Sequence, residues 1–402
     1  LAMSIAGCEE KAALERRGFR PNFLVMIPEG SMRKNLLSLA SIVALTWYVA
    51  PIFAESPKAP IQPAIKTAQA TKDLPNIVIL ATGGTIAGTG ATSTTTVGYT
   101  AAKLPVETVI SAVPELKNIA NVTGEQVLQI PSEDMTNAGL LKIAKRVNAL
   151  LARPDVTGVV ITHGTDTIEE TAYFLNLVVK SEKPVVLVGA MRPSTALSAD
   201  GPINLYNAVS IAVSKESVGK GVMIALNDQI SAARETTKTS TSSMNTFQAP
   251  DFGYLGYVQL GKPYFYRLSN RKHTVNTEFN ITNLTKLPQV DIVYGYGNNS
   301  RAILDAVVAD GAKGIVYAGT GNGSISVQVE PSAADARKKG VVILRSARAG
   351  AGMVARNGEE KDDRQDWIVA DNLNPQKARI LLMLGLTVTN NTKALQEMFY
   401  KY

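Results

Sequence analysis

The chain has 402 residues, 45% of them hydrophobic, enough for one large or two medium globular domains. Two histidines and one cysteine leave no Cys/His cluster for a zinc site of three or four ligands, and Cys8 alone cannot close an intramolecular disulfide. The net charge of +7 comes without a lysine or arginine run, so it reads as a solvated basic surface and gives nucleic-acid binding little support.

In chain order, residues 1–31 precede a start at Met32 and are expected to be a non-native or misassigned extension. Met32-Arg33-Lys34-Asn35 then opens a leader-like segment over 32–54. A short basic start is followed by an apolar run of 14 residues, Leu36 to Val49, and small residues toward Ala54. That run is shorter than the roughly 20 residues a membrane-spanning helix needs, so a cleaved export signal is preferred to an anchor. Removing 1–54 takes away six basic and four acidic side chains and lowers the net charge from +7 to +5. Residues 55–75, rich in Pro, Ala and Lys, read as a linker.

Strand candidates at 76–81, 158–162, 184–190 and 222–227 then alternate with helical periodicity at 135–151, 168–179 and 203–213. The strands are continuous apolar runs, which suit a parallel sheet covered on both faces. A polar stretch at 267–288 reads as an interdomain connection. A second α/β pattern follows, with strands at 290–296, 314–318 and 341–345. Its helices fall at 301–310, 331–339 and 375–386, and 391–400 is amphipathic. The fold class is therefore α/β. It comprises a larger N-terminal domain at 76–266 with a parallel-rich sheet flanked by helices, and a smaller C-terminal α/β domain at 289–402.

Two glycine-threonine turns each end a buried strand: Thr82-Gly83-Gly84-Thr85-Ile86-Ala87-Gly88 and His163-Gly164-Thr165-Asp166-Thr167. In open parallel sheets, small-molecule sites form beyond the carboxyl ends of the strands. The first turn has neither the P-loop nor the dinucleotide spacing, and it lacks a P-loop lysine. Gly83 and Gly84 permit a tight turn and close backbone approach. By propensity alone Thr85 is structural; as a nucleophile it would need a group to accept its proton.

His163 and Asp166 invite a Ser-His-Asp reading, which is rejected because they are so close in sequence. A packed histidine bonded to backbone is expected instead. Asp166 could simply cap the following helix. Lys238, in Arg234-Glu235-Thr236-Thr237-Lys238-Thr239, reads ordinarily as a solvated loop lysine. The functional alternative brings it to Thr165 and Asp166, where pairing would hold its ammonium in place.

Together the two turns resemble the two signatures of bacterial L-asparaginases. The resemblance extends through Gly189-Ala190-Met191-Arg192-Pro193, Ala199-Asp200-Gly201, Asn204-Leu205 and Leu373-Asn374-Pro375-Gln376-Lys377-Ala378-Arg379. It covers about residues 75–402. The secreted type, and within it the glutaminase-asparaginase branch, is most similar; Arg356-Asn357-Gly358-Glu359 before Asp362-Asp363 is like that branch. The resemblance implies that Thr85 is the nucleophile and that Tyr99, in the loop after it, activates the hydroxyl. Thr165, Asp166 and Lys238 match the second catalytic cluster. Ser132 and Asp166 match groups holding the substrate's α-carboxylate and α-amino group. Glu133 matches a position that is glutamine in some members and glutamate in others. Asn298 and Glu359 match groups donated by a neighbouring subunit.

The expected reaction is hydrolysis of the side-chain amide of L-glutamine and L-asparagine through an acyl-enzyme, with no cofactor and no metal. The expected partners are a small amino-acid substrate and further copies of the chain, as a homo-oligomer that the resemblance makes a tetramer. No nucleic acid is expected, and no membrane in the mature form; the location is periplasmic. The alternatives are an asparaginase with little glutaminase activity, a non-catalytic periplasmic amino-acid binding protein, and an amidotransferase subunit. A binding protein needs no activated hydroxyl, so Thr85 and Lys238 discriminate. An amidotransferase acting with transfer RNA would call for an extra domain or a basic stretch that the sequence lacks.

Overall fold

The computed structural model describes residues 74–402. The expectations for 1–31 and 32–54, and most of the 55–75 linker, fall outside that range. Within it the apolar runs become strands β1 (Asn76–Gly83), β3 (Gly158–Thr162), β4 (Val185–Val188) and β5 (Val222–Leu226), with β2 (Asn121–Ile130) between the first two in the chain. Strands β6 (Gln229–Ala232), β7 (Thr237–Lys238), β8 (Phe247–Gln248), β9 (Gly256–Gln259) and β10 (Lys262–Phe265) follow. Eight of them form one sheet in the order β10-β9-β6-β5-β4-β3-β1-β2, while β7 pairs with β8 alone. The neighbours from β5 across to β2 are parallel; β6, β9 and β10 extend the sheet antiparallel.

Strands β3, β4 and β5 are buried at every position, as strands covered on both faces must be. Helices α1 (Val106–Ser111), α2 (Asn137–Leu151), α3 (Ile168–Val178) and α4 (Gly201–Val213) supply that cover. Side chains alternate along a strand, so β1 sends Val78 and Leu80 into a core with α2 and α3. Ile77 and Ile79 enter a second core with α1 and α4.

The smaller sheet is parallel throughout, in the order β11 (Val290–Tyr294), β12 (Gly314–Gly319), β13 (Val342–Ala347) and β14 (Ile368–Val369). Helices α5 (Ala302–Ala309) and α6 (Glu330–Lys338) cover one face through Leu304, Ala333 and Ala336. After the short α7 (Asp362–Gln365), helices α8 (Pro375–Gly385) and α9 (Thr392–Lys401) follow. Ile380, Leu381 and Leu395 from α8 and α9 join the core that also holds α2 and α3, so the two sheets share one apolar interior. Residues 267–288 contain no strand or α-helix, yet Phe279 and Ile281 are buried and anchor the segment.

Four strands of the large sheet escaped the sequence reading. β2 alternates exposed and half-buried positions with one buried residue, Val127, and β9 and β10 alternate likewise. None carries a continuous apolar run, because β2 and β10 are edges with one wet side. β6 was hidden by its turn: Asn227 and Asp228, both at positive φ (52° and 60°), form a two-residue hairpin connection straight out of β5. Asn227 therefore ends the strand that sequence extended through it. Thr136 caps α2, its hydroxyl accepting from the Gly139 N–H at 3.0 Å, so the helix starts two residues after Met135.

Candidate active site

β1 and β3 are neighbours and both end at the same edge of the sheet. Thr82 Oγ1 donates to the Thr162 carbonyl at 2.8 Å and ties the two strand ends together. The chain then turns at Gly83 and Gly84, with φ of 109° and 77°, conformations that glycine adopts without steric cost. A Cβ on Gly84 would lie 2.3 Å from the Gly164 backbone, and one on Gly164 would lie 2.5 Å from Ser132 Oγ. The loops after β1, β2 and β3 thus touch through glycines. Thr85, Ser132 and Thr165 are all buried there, Thr85 at 6% exposure.

Thr85 Oγ1 and the Tyr99 hydroxyl are 2.6 Å apart. Tyr99 comes from the loop that follows the first turn, and that loop folds back through reciprocal backbone bonds between Thr89 and Thr100. Its outer side is held by the connection between β4 and α4. The N–H and hydroxyl of Ser194 both donate to the Gly88 carbonyl, at 3.0 and 2.7 Å. The Leu197 N–H donates to the Ser93 carbonyl at 2.7 Å, and the Gly90 N–H to Thr195 Oγ1 at 2.8 Å.

Lys238 is not a solvated loop lysine. It lies on β7 with its side chain 16% exposed, and its Nζ donates to Asp166 Oδ1 at 2.6 Å and Thr165 Oγ1 at 3.0 Å. An open cleft of about 280 Å³, lined by Asp166, Lys238, Thr239, Ser240 and Thr241, adjoins the pair. Asp166 does not cap α3. The N-cap position is Thr167, whose hydroxyl donates instead to the Ser132 carbonyl at 2.8 Å. That leaves the Asp166 carboxylate, 60% exposed, facing Lys238 and solvent.

His163 is fully buried, its Nδ1 against the Gly164 carbonyl at 2.8 Å and its Nε2 against Thr171 Oγ1 at 2.9 Å. Nδ1–H donating to the carbonyl leaves Nε2 to accept from the threonine. Burial pushes the ring's pKa down to about 4, so it stays neutral. It braces the turn and reaches neither Asp166 nor Thr85.

The remaining site candidates are distributed differently. Glu133 and Asn298 are exposed, and Asn298 sits at positive φ (59°) after β11. Glu359 is exposed and accepts from Ser324 Oγ. Asn298 and Glu359 belong to the smaller sheet's loops and form no hydrogen bond to Thr85, Thr165, Asp166 or Lys238 among the described residues. The Glu359 loop rests on an ion pair exposed at 0% on both sides: Arg345 Nε and Nη2 each lie 2.6 Å from an Asp362 oxygen. Arg345 also donates to the Asn322, Gly323 and Ala355 carbonyls, and Asp362 accepts from the Asn357 N–H at 2.8 Å.

Sequence reasoning assigned no role to several residues that frame this region. Asp200 accepts from the Met191 and Arg192 N–H groups at 2.9 Å each and from Asn204 Nδ2 at 3.0 Å. That fixes the turn after β4, where a Cβ on Gly189 would lie 3.1 Å from Thr165 Cγ2. Glu169, in the first turn of α3, reads as an ordinary helix-start acid and gave no signal. Among the described residues there is no group of three or more His, Cys, Asp or Glu that could hold a metal, and no helix long and apolar enough to cross a membrane.

Comparison with known proteins gives the family. The family profile described as "Asparaginase, N-terminal" matches residues 76–271, and "Glutaminase/Asparaginase C-terminal domain" matches 289–399. The chain is 53% identical to L-asparaginase 2 of Bacillus subtilis over 351 residues, 87% of this chain and 93% of that protein. It is 52% identical to the glutaminase-asparaginase of Pseudomonas fluorescens biotype A over 344 residues, 85% of this chain and 95% of that one. A crystal structure of a "Probable Cytoplasmic L-asparaginase" from Campylobacter jejuni superposes with a TM-score of 0.80 at 49% identity, covering 82% of this chain and 100% of that one. Matched in both halves and along most of its length, the chain belongs to the asparaginase family.

Proposed function

We propose that this chain hydrolyses the side-chain amides of L-asparagine and L-glutamine, releasing ammonia and leaving aspartate or glutamate. The observation that carries the reading is the pairing of a part-buried hydroxyl couple, Thr85–Tyr99, with Thr165 and Asp166 of the adjoining turn and the Lys238 that bonds both. Thr85 attacks the amide carbon, and Tyr99 takes its proton. A phenol is a weak base at neutral pH unless its anion is stabilised, so a nearby cation or substrate charge has to assist. Backbone N–H groups of the turns stabilise the tetrahedral oxyanion, each worth roughly 3–4 kcal/mol in such sites. The proton reaches the departing ammonia, and water, oriented by Thr165 and Lys238, cleaves the acyl-threonine.

A zwitterionic substrate needs an anion for its ammonium and donors for its carboxylate. Asp166 and Glu359 serve the first need; Ser132 with backbone N–H groups serves the second. Glu133, exposed next to Ser132 in the chain, bears on the preference between the two amides. Asn298 and Glu359 complete a neighbour's pocket, which makes the working form a homo-oligomer, a tetramer by the family resemblance. The domains are 76–266 and 289–402 joined by 267–288, in keeping with where the two sheets fall. The Campylobacter protein is titled cytoplasmic; the leader-like run at 32–54 is what supports a periplasmic location for this chain.

The deciding experiment measures ammonia released from L-asparagine and L-glutamine by the purified protein and by Thr85→Val. Release that the substitution abolishes supports the reading. Tight amino-acid binding without release points instead to a binding protein. Fully active monomers by sedimentation overturn the shared pocket.

A further inference from the structure

Glu169 has no place in the mechanism above, yet it is buried at 4% exposure and four side chains converge on its carboxylate. Thr237 Oγ1 donates at 3.1 Å, Gln376 Nε2 at 3.0 Å and Asn374 Nδ2 at 3.1 Å, and Lys377 Nζ lies 3.4 Å away. Lys377 also donates to the Thr236 carbonyl. Burying a carboxylate is costly unless it is paired and bonded this fully. The geometry of the partners shows what the group holds. Glu169 follows Thr165 by four residues, in the first turn of α3. Thr237 immediately precedes Lys238.

Strand β7 consists of Thr237 and Lys238 alone and pairs only with the equally short β8. Such a ladder does little by itself to fix side-chain direction. Neighbouring strand residues face opposite ways, so anchoring the Thr237 hydroxyl inward sets the side on which Lys238 emerges. That side is where Thr165 and Asp166 lie.

We propose that Glu169 is a positioning residue: by gripping Thr237 from the same helical turn that follows Thr165 and Asp166, it fixes both ends of the contact between Lys238 and that pair. Asn374, Gln376 and Lys377, at the start of α8, hold the carboxylate from the smaller sheet's side. The inference rests on the proposed role of Lys238.

The test is a double-mutant cycle on the full-length protein, reading kcat and KM for L-asparagine under single-turnover and steady-state conditions. Glu169→Gln is expected to lower kcat about tenfold with KM within about twofold, and to cost less than about twofold when Lys238 is already methionine. Thr237→Val removes one hydroxyl and is expected to show the same dependence on Lys238, while Thr237→Ser keeps the bond and retains kcat. It carries the test if Glu169→Gln does not fold. Equal losses in both backgrounds, or a change confined to KM, overturn the positioning role and leave the catalytic reading standing. A fully active Lys238→Met enzyme overturns both.

Discussion

The Thr85 and Tyr99 hydroxyl oxygens lie 2.6 Å apart, although the residues come from a strand-end turn and from the loop beyond it. This contact gives the first expectation. Thr85→Val should reduce kcat roughly a thousandfold or more, and Tyr99→Phe by about 10²–10⁴, the range for losing a nucleophile and a proton acceptor. Both variants should still bind substrate. The double variant should lose little more than Thr85→Val, since the two act as a unit; ammonia release checks this.

Lys238→Met should lower kcat by about 10²–10³ for both amides, because it removes a cation held 3.0 Å from Thr165 Oγ1. With only one of the pair's side chains well shielded, its effect on folding should be small. Denaturant midpoints near wild type beside a collapsed kcat would bear this out; a shifted midpoint with normal kcat would refute it.

His163 predicts a pH dependence of stability. Its pKa is depressed to about 4 in the fold against 6.5 when exposed, so between those values the unfolded chain binds the extra proton. Stability from this group is complete above pH 6.5 and is lost as pH falls toward 4, by about 3 kcal/mol in all. Burial pushes Glu170 up to about 7, and its contribution runs oppositely, fading as pH rises through 7. His163→Gln should therefore flatten the acid-side loss specifically, which melting temperatures of the two proteins from pH 7 to 4 will show.

Asp362→Ala should destabilise the fold by about 3–5 kcal/mol, the penalty for stranding a charge such as Arg345 in the interior. It should also loosen the Glu359 loop. If Glu359 serves a neighbour, mixing Asp362→Ala with Thr85→Val subunits should restore activity that neither variant shows alone, because the intact Thr85 of the first then meets the undisturbed Glu359 loop of the second.

The buried strands were legible because Gly158-Val159-Val160-Ile161-Thr162 and its like admit no polar face. The edges β2 and β10 were not, since half their side chains meet water and mimic loops. Thr85, Thr165 and Asp166 stood out through the resemblance of the two strand-end turns to a family's signatures; by local propensity Thr85 read as structural and Asp166 as a helix cap. Lys238 could not be placed by local sequence: a lysine among threonines has the composition of a solvated loop, and only the fold brings it to Asp166. Glu169 gave no local signal for the same reason, since its partners are 68 or more residues away.

The four bonds fastening the 88–93 stretch to Ser194, Thr195 and Leu197 act as a latch. The loop so fastened is the one that brings the Tyr99 hydroxyl within 2.6 Å of Thr85 Oγ1. The hydroxyl contact therefore depends on groups that never touch it, and a change at Ser194 or Thr195 would be felt at Tyr99 through the backbone.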